Sequence, residues 1–242
     1  EIWVTIDLAK DVIRNLKRWM MPKKVPSSLP VLFSSSYTES YPKGVCLIIA
    51  PWNYPFQLCI APLIYAIAAG NCSIIKPSES TPNTSRLVHG MISELFDKGE
   101  ICVIEGDKKD AQQLLEKPFN HIFFTGSSEI GKKIVEATSR HLSSFTLELG
   151  GKSPVIIERG FKLIKVIDRL VATKFINLGQ TCIAPDYIII SKEDYKLFIQ
   201  LLIQKIELTY GASYEEQKSS ESLARIVNDH HFDRLVNFID NE

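Results

Sequence analysis

Apolar and polar positions alternate in blocks along the chain, short apolar runs trading places with longer amphipathic stretches. Residues 44–50 (GVCLIIA) form a continuous apolar run bounded by glycine and proline, the pattern of a strand buried on both faces of a parallel sheet. Similar runs at 72–75, 101–104, 121–124 and 145–149 predict four more strands. The segments between them carry helical periodicity and predict helices at 55–69, 81–96, 107–116 and 126–140. Pro55 opens the first of these and Gly70 stops it, while Thr81-Pro82 supplies an N-cap and a first helical residue for the second. Five strands joined by four helical crossovers predict an α/β fold, a doubly wound, Rossmann-like parallel sheet with helices on both faces.

On either side of this block the pattern changes. Residues 5–21 read as a helix, and residues 22–42, with four prolines and many serines, read as an extended connector. Beyond Gly150-Gly151 the alternation restarts with a strand at 154–157, a helix at 162–177, a strand at 183–190, a helix at 192–208 and a last helix at 232–242. Two strands are too few for a sheet of their own, so this second α/β layer is expected to be incomplete. The chain opens on Glu1 rather than Met and stops inside a helix, and it is expected to be a piece of a longer protein.

Composition narrows the reading further. With 45% hydrophobic and 23% charged residues among 242, a packed globular core is expected rather than disorder. Lys plus Arg equals Asp plus Glu at 28 each, so no basic surplus argues for nucleic acid as a partner. No apolar run reaches the roughly 18 residues a membrane span needs, and the most apolar stretch, 58–69, is broken by Pro62. The opening residues Glu1-Ile2-Trp3-Val4 do not form the basic start of a signal peptide. Five cysteines without a CxxC pair fit free thiols in a reducing compartment, and five histidines show no metal-ligand spacing, so no metal is expected.

Four constellations could carry chemistry. Residues 124–133 (FTGSSEIGKK) follow a strand and open a helix, where glycine lets backbone amides approach a phosphate. The GxxxxGK spacing resembles a phosphate-binding Walker loop, but Lys133 stands where that motif needs Ser or Thr, and Ser128 replaces the second glycine of GxGxxG. A plain strand-to-helix turn is the competing reading. Cys182, in 177–185 (NLGQTCIAP), occupies a glycine-containing junction where a thiol can face a cleft. Cys46, Cys59, Cys72 and Cys102 lie in or beside apolar segments and read as inert; a structural role for Cys182 is open on the same ground. Glu148, inside LELGGK, is either a carboxylate whose burial tunes it toward general-base work or a residue on a wet strand face. Asn53, in PWNYP after the first strand, is either a helix N-cap or a donor to a developing oxyanion.

Taken together, the blocks at 50–56 (APWNYPF), 76–79 (KPSE), 124–131 (FTGSSEIG), 147–152 (LELGGK) and 179–182 (GQTC) resemble the aldehyde dehydrogenase family in order and approximate spacing. The continuation at 182–187 (CIAPDY) looks like the class 3 branch, which acts on medium- to long-chain aliphatic or aromatic aldehydes. The resemblance implies a dinucleotide-binding domain at 44–150 after an N-terminal helix and connector at 1–43, and the start of a catalytic domain at 151–242. It implies Cys182 as nucleophile, Asn53 as oxyanion donor and Glu148 as the base that activates water. It also implies NAD or NADP held by Trp52, Lys76, Glu79, Gly126, Ser127, Gly131 and Gly150. Glu79 beside a ribose favours NAD and Lys76 weakens that preference, so the choice stays open.

Family members are about twice this length. The later Glu-x-Phe-Gly-Pro segment, which grips the nicotinamide ribose, and the dimerisation arm have no counterpart here. The implied complete protein is a cytoplasmic homodimer, with attachment to membranes left open because some class 3 relatives carry a hydrophobic C-terminal tail. A CoA-acylating variant, which usually lacks the base at position 148, a P-loop phosphotransferase and a non-catalytic descendant are the alternatives.

Overall fold

The structure is a computed structural model describing residues 1–240; positions 241 and 242, the end of the last expected helix, lie outside the described residues. The chain divides into two compact units, Glu1–Leu149 and the part from Gly150 onward.

The first unit begins with α1 (Ile2–Met20) and continues through β1 (Lys23–Val25), β2 (Ser36–Thr38), β3 (Val45–Ile49), α2 (Gln57–Ala68) and β4 (Cys72–Lys76). It then runs through α3 (Pro82–Leu95), β5 (Ile101–Val103), α4 (Lys108–Leu115), β6 (His121–Gly126), α5 (Ser128–Ser139) and β7 (Ser144–Leu149). Five strands form one parallel sheet in the order β5-β4-β3-β6-β7. This is the expected doubly wound fold. The connector differs in detail: β1 and β2 pair antiparallel, with Lys23 opposite Thr38. Its serines bond one another, Ser27 Oγ donating to the Ser34 carbonyl at 2.9 Å, so a stretch that reads as linker folds on itself.

Strand β3 explains the layering. Leu47, fully buried, packs with Leu114 of α4, Ile122 and Phe124 of β6 and Ile134 of α5. Ile48, equally buried, turns to the other face and packs with Cys59 and Leu63 of α2 and Val88 and Ile92 of α3. Each such side chain contributes on the order of 1.5–3 kcal/mol of burial. With both faces apolar, hydrophobic pattern alone specifies register weakly. Two asparagines supply the missing polar constraint. Asn71 Oδ1 accepts the Gly44 N–H at 2.9 Å and Asn120 Oδ1 accepts the Val45 N–H at 2.8 Å, tying the start of β3 to the segments entering β4 and β6. Gly44 has φ +119°, and a Cβ there would collide with the Asn120 side chain. Helix α2 starts two residues after Pro55, because Glu1 Oε2 accepts the Phe56 and Gln57 N–H groups at 3.0 and 2.8 Å. A carboxylate at the positive end of a helix is stabilising.

The second unit holds β8 (Ser153–Ile157), α6 (Leu163–Phe175), β9 (Pro185–Ile190), α7 (Lys192–Tyr210), α8 (Tyr214–Ser219) and α9 (Asp229–Asp240). β8 and β9 pair in parallel and pack on α6 and α7 through Ile157, Leu163, Ile167, Leu170, Val171 and Phe198. Ile156 and Ile189, opposite each other on the other sheet face, are exposed. Helix α8 has no apolar stripe to announce it; a capping box between Ser213 and Glu216 starts it. Among the described residues no helix is long and apolar enough to cross a membrane.

His121, opposite Ser144 in the β6–β7 ladder, has Nδ1 2.8 Å from Ser144 Oγ and Nε2 3.2 Å from Thr146 Oγ1. Burial, and then the Lys43 cation, hold its pKa below the ordinary 6.5. The unfolded chain therefore binds this proton more readily than the folded one. The stabilising effect of a neutral His121 is complete above about pH 6.5 and is lost as the pH falls below it. Urea unfolding at about pH 7.5 and about pH 5 should show a larger acid loss of stability in the native chain than in His121→Gln; equal losses would count against this account.

Candidate active site

Chain order reverses between β3 and β6, which makes their C-terminal ends the switch point where doubly wound sheets open a crevice. Trp52 and Asn53, both half-buried, lie in the loop leaving β3. Asn53 is not the cap of α2, which begins four residues later under Glu1; its Oδ1 accepts the Tyr54 N–H at 3.2 Å.

Lys76 ends β4 and is 2% exposed. Its Nζ donates to the Pro77 carbonyl at 2.8 Å and pairs with Glu79 Oε2 at 3.4 Å, while the Glu79 side chain is 55% exposed. A buried ammonium is thus matched by one carbonyl and by a carboxylate that still reaches solvent, which keeps the cost of its burial down. An open depression of about 190 Å³ lies beside the pair, lined by Ser78, Glu79, Ser85, Glu105 and Gly106 from the ends of β4 and β5 and the start of α3.

At the end of β6, Gly126 closes the strand and Ser127 caps α5, its Oγ accepting the Ile130 N–H at 3.3 Å. A Cβ on Gly126 would run into the Phe124 ring. Gly131 is buried, and a Cβ there would come within 3.0 Å of Leu149 Cδ2; glycine lets α5 lie close on β7. Of the lysines after Gly131, Lys132 is exposed and Lys133 pairs with Glu129 along the helix. Glu148, opposite Thr125, is exposed in this chain, the wet-face position of the two the sequence allows.

In the second unit, α6 ends at Phe175 and a tight turn over Ile176–Gly179 leads to Cys182. Asn177 (φ 50°), Leu178 (φ 52°) and Gly179 (φ 72°) are all left-handed. Such backbone costs about 1–2 kcal/mol for a residue with a side chain, so Asn177 and Leu178 store strain just before the thiol. Cys182 is exposed in the turn before β9. Gly151 makes room for it: a Cβ there would sit 3.1 Å from the Cys182 carbonyl oxygen. Gly150 is exposed with open space around it, and a Lys152–Asp186 ion pair joins the two strand starts beside the turn. Asn53, Lys76, Glu79, Gly126 and Glu148 thus belong to one unit and Gly150 and Cys182 to the other.

The remaining thiols differ. Burial raises Cys46 and Cys102 above the ordinary thiol range and pushes Cys59 up to about 12, with Glu1 adding to the effect at Cys59. Cys72 is exposed, contrary to its apolar surroundings in sequence, because it starts β4 at the sheet end away from the crevice. Sequence reasoning missed Glu1, Gly151 and the strain at Asn177 and Leu178. Only Gly151, inside LELGGK, carried a visible signal.

The family model for the aldehyde dehydrogenase family matches residues 1–242. The chain belongs to the aldehyde dehydrogenase family. Among relatives, aldehyde dehydrogenase family 3 member B2 of Mus musculus is 40% identical over 230 residues, 95% of this chain and 47% of its own length. Among solved structures, a substrate-bound state of Staphylococcus aureus AldH superposes with a TM-score of 0.92 at 42% identity, covering 99% of this chain and 52% of that one. PnpE in complex with nicotinamide adenine dinucleotide gives a TM-score of 0.81 at 28% identity, over 98% of this chain and 49% of PnpE. The chain thus spans about half the length of the relatives and structures it matches.

Gly126→Ala should cost the first unit about 1–3 kcal/mol, as overpacking against Phe124 does. Urea denaturation measures this, and an unchanged midpoint would mean that the ring yields freely.

Proposed function

We propose that this chain supplies the cofactor-binding half and the nucleophile of an NAD(P)-dependent aldehyde dehydrogenase that converts an aldehyde to its carboxylic acid. The observation that carries the reading is the strained left-handed turn ending at an exposed Cys182, inside a chain that belongs to this family. Two of the other four thiols are buried, and the exposed Cys72 lies at the wrong end of the sheet.

The Cys182 thiolate adds to the carbonyl carbon, forming a C–S bond and an oxyanion. The Asn53 amide and the Cys182 N–H donate to that oxygen, whose charge exists only as the reaction proceeds. A bound NAD(P) would supply the hydride acceptor for this carbon, whose loss of hydride leaves a thioester on Cys182. Glu148 takes a proton from water, which attacks the thioester and releases the acid and the thiolate. Lys76 and Glu79 would hold the adenosine ribose beside the depression that Glu79 lines. Gly126, Ser127 and the first turn of α5 would hold the pyrophosphate, for which a helix N-terminus is suited. The family likeness assigns Trp52, Gly131 and Gly150 to the same cofactor. The residues present fit a dinucleotide: a buried cation and an accessible carboxylate at the end of β4 and a helix start at the end of β6 stand on either side of β3.

The class 3 likeness points to medium- or long-chain aliphatic or aromatic aldehydes as substrates. A carboxylate at position 148 favours release to water over transfer to CoA. The complete protein works as a cytoplasmic homodimer.

In the complete protein, Cys182→Ser should abolish NAD(P)-dependent oxidation of hexanal or benzaldehyde. Retention of the wild-type rate would overturn the assignment. Glu148→Gln should still give a first-turnover burst of reduced cofactor and then stall; Asn53→Ala should lower kcat by about 10²–10³-fold. The 242-residue chain alone should show no steady-state turnover, and wild-type turnover from it would refute the dependence on the remaining half.

A further inference from the structure

The turn that presents Cys182 is held from far along the chain. Gln180 Nε2 donates to the Asn177 carbonyl at 3.0 Å and to the Arg225 carbonyl at 3.0 Å, and Gln180 Oε1 accepts the Val227 N–H at 3.1 Å. Asn177 Nδ2 returns a bond to the Gln180 carbonyl at 3.3 Å, and the Gln180 N–H donates to the Asn177 carbonyl at 3.1 Å. One side chain therefore stitches both ends of the left-handed turn together and fastens it to the irregular segment at 225–227. That segment has its own anchor. The Arg225 guanidinium donates to the carbonyls of Leu223, Ala224 and Lys218, curling the chain between α8 and α9 around itself. A strained turn persists only where its surroundings over-determine it, and Gln180 with a segment without chemistry of its own is part of those surroundings.

We infer that Gln180 is a positioning residue for the nucleophile, and that residues 223–227, fixed by Arg225, are the anchor through which it acts. The inference rests on Cys182 being the nucleophile. Gln180 touches the turn's backbone rather than the substrate. Its loss would let Asn177 and Leu178 return to right-handed backbone, and the thiol and the Cys182 N–H would lose their common orientation. Misplacement of a reacting group by about 1 Å can cost about 10²-fold in rate.

The test uses Gln180→Met, Arg225→Met and the double variant, with two readouts. In the 242-residue chain, backbone hydrogen exchange of a peptide spanning 177–184 should speed up by about tenfold in either single variant, the loss of one or two net hydrogen bonds. The double variant should add little, since both changes release one clamp. In the complete protein, the burst rate with hexanal should fall by about tenfold or more in each single variant, with the KM for the dinucleotide unchanged. Gln180→Glu keeps an acceptor for the Val227 N–H but loses both donations, and should sit between Gln180→Met and the native protein.

Exchange in Arg225→Met that quickens only around 218–227 and leaves 177–184 untouched would overturn the inference. So would additive effects in the double variant. Should a variant fail to fold, the other single variant still decides by the same two readouts. Failure of the underlying reading looks different: Cys182→Ser would then keep its activity, whatever the exchange experiment returns.

Discussion

Strand β3 is enclosed on four sides, by β4 and β6 along its edges and by α2–α3 and α4–α5 across its faces. Nothing polar can be placed along it without penalty, so the chemistry of this unit is confined to its open end. The loops leaving β3, β4, β5 and β6 gather there for that reason, bringing Asn53, Lys76, Glu79 and Gly126 to one rim. The enclosure has a second effect. A strand apolar on both sides can slide, and the two asparagines that grip its first amides prevent this, so rim residues on neighbouring strands keep their relative heights.

The two units handle backbone cost in different ways. At the rim of the first, Lys76 is buried, yet its charge is met locally by a carbonyl and by Glu79. In the second, left-handed backbone falls on two successive non-glycine residues, Asn177 and Leu178, next to the thiol, where the first has the single Leu142. A binding rim needs groups whose partners can be exchanged for a ligand's. A nucleophile needs a fixed direction, which an over-determined turn provides.

Much of the fold was legible in the sequence, because strands buried on both faces leave continuous apolar runs and the crossover helices keep a polar stripe. Glycine and proline marked most ends, and the motif blocks at 50–56, 76–79, 124–131, 147–152 and 179–182 supplied the candidate site residues. What stayed hidden depends on contacts between distant residues or on backbone torsion. Glu1 moves the start of α2 through bonds that span 55 and 56 positions. Serine-rich text at 22–42 reads as linker although its hydroxyls close a small hairpin. The exposure of Cys72 reflects which end of β4 it occupies, which an apolar neighbourhood in sequence does not reveal. Left-handed torsion at Leu178 has no compositional signal at all, since leucine is chosen there for reasons other than backbone freedom.

The bond from Gln180 to Arg225 joins residues 45 positions apart. During synthesis from the N-terminus, the turn that carries the thiol is made before the segment that holds it. For that interval Cys182 is an ordinary cysteine on an unlocked loop. The turn can be fastened only once residues 223–227 have been made, so its left-handed geometry is secured by polypeptide that follows it in the chain.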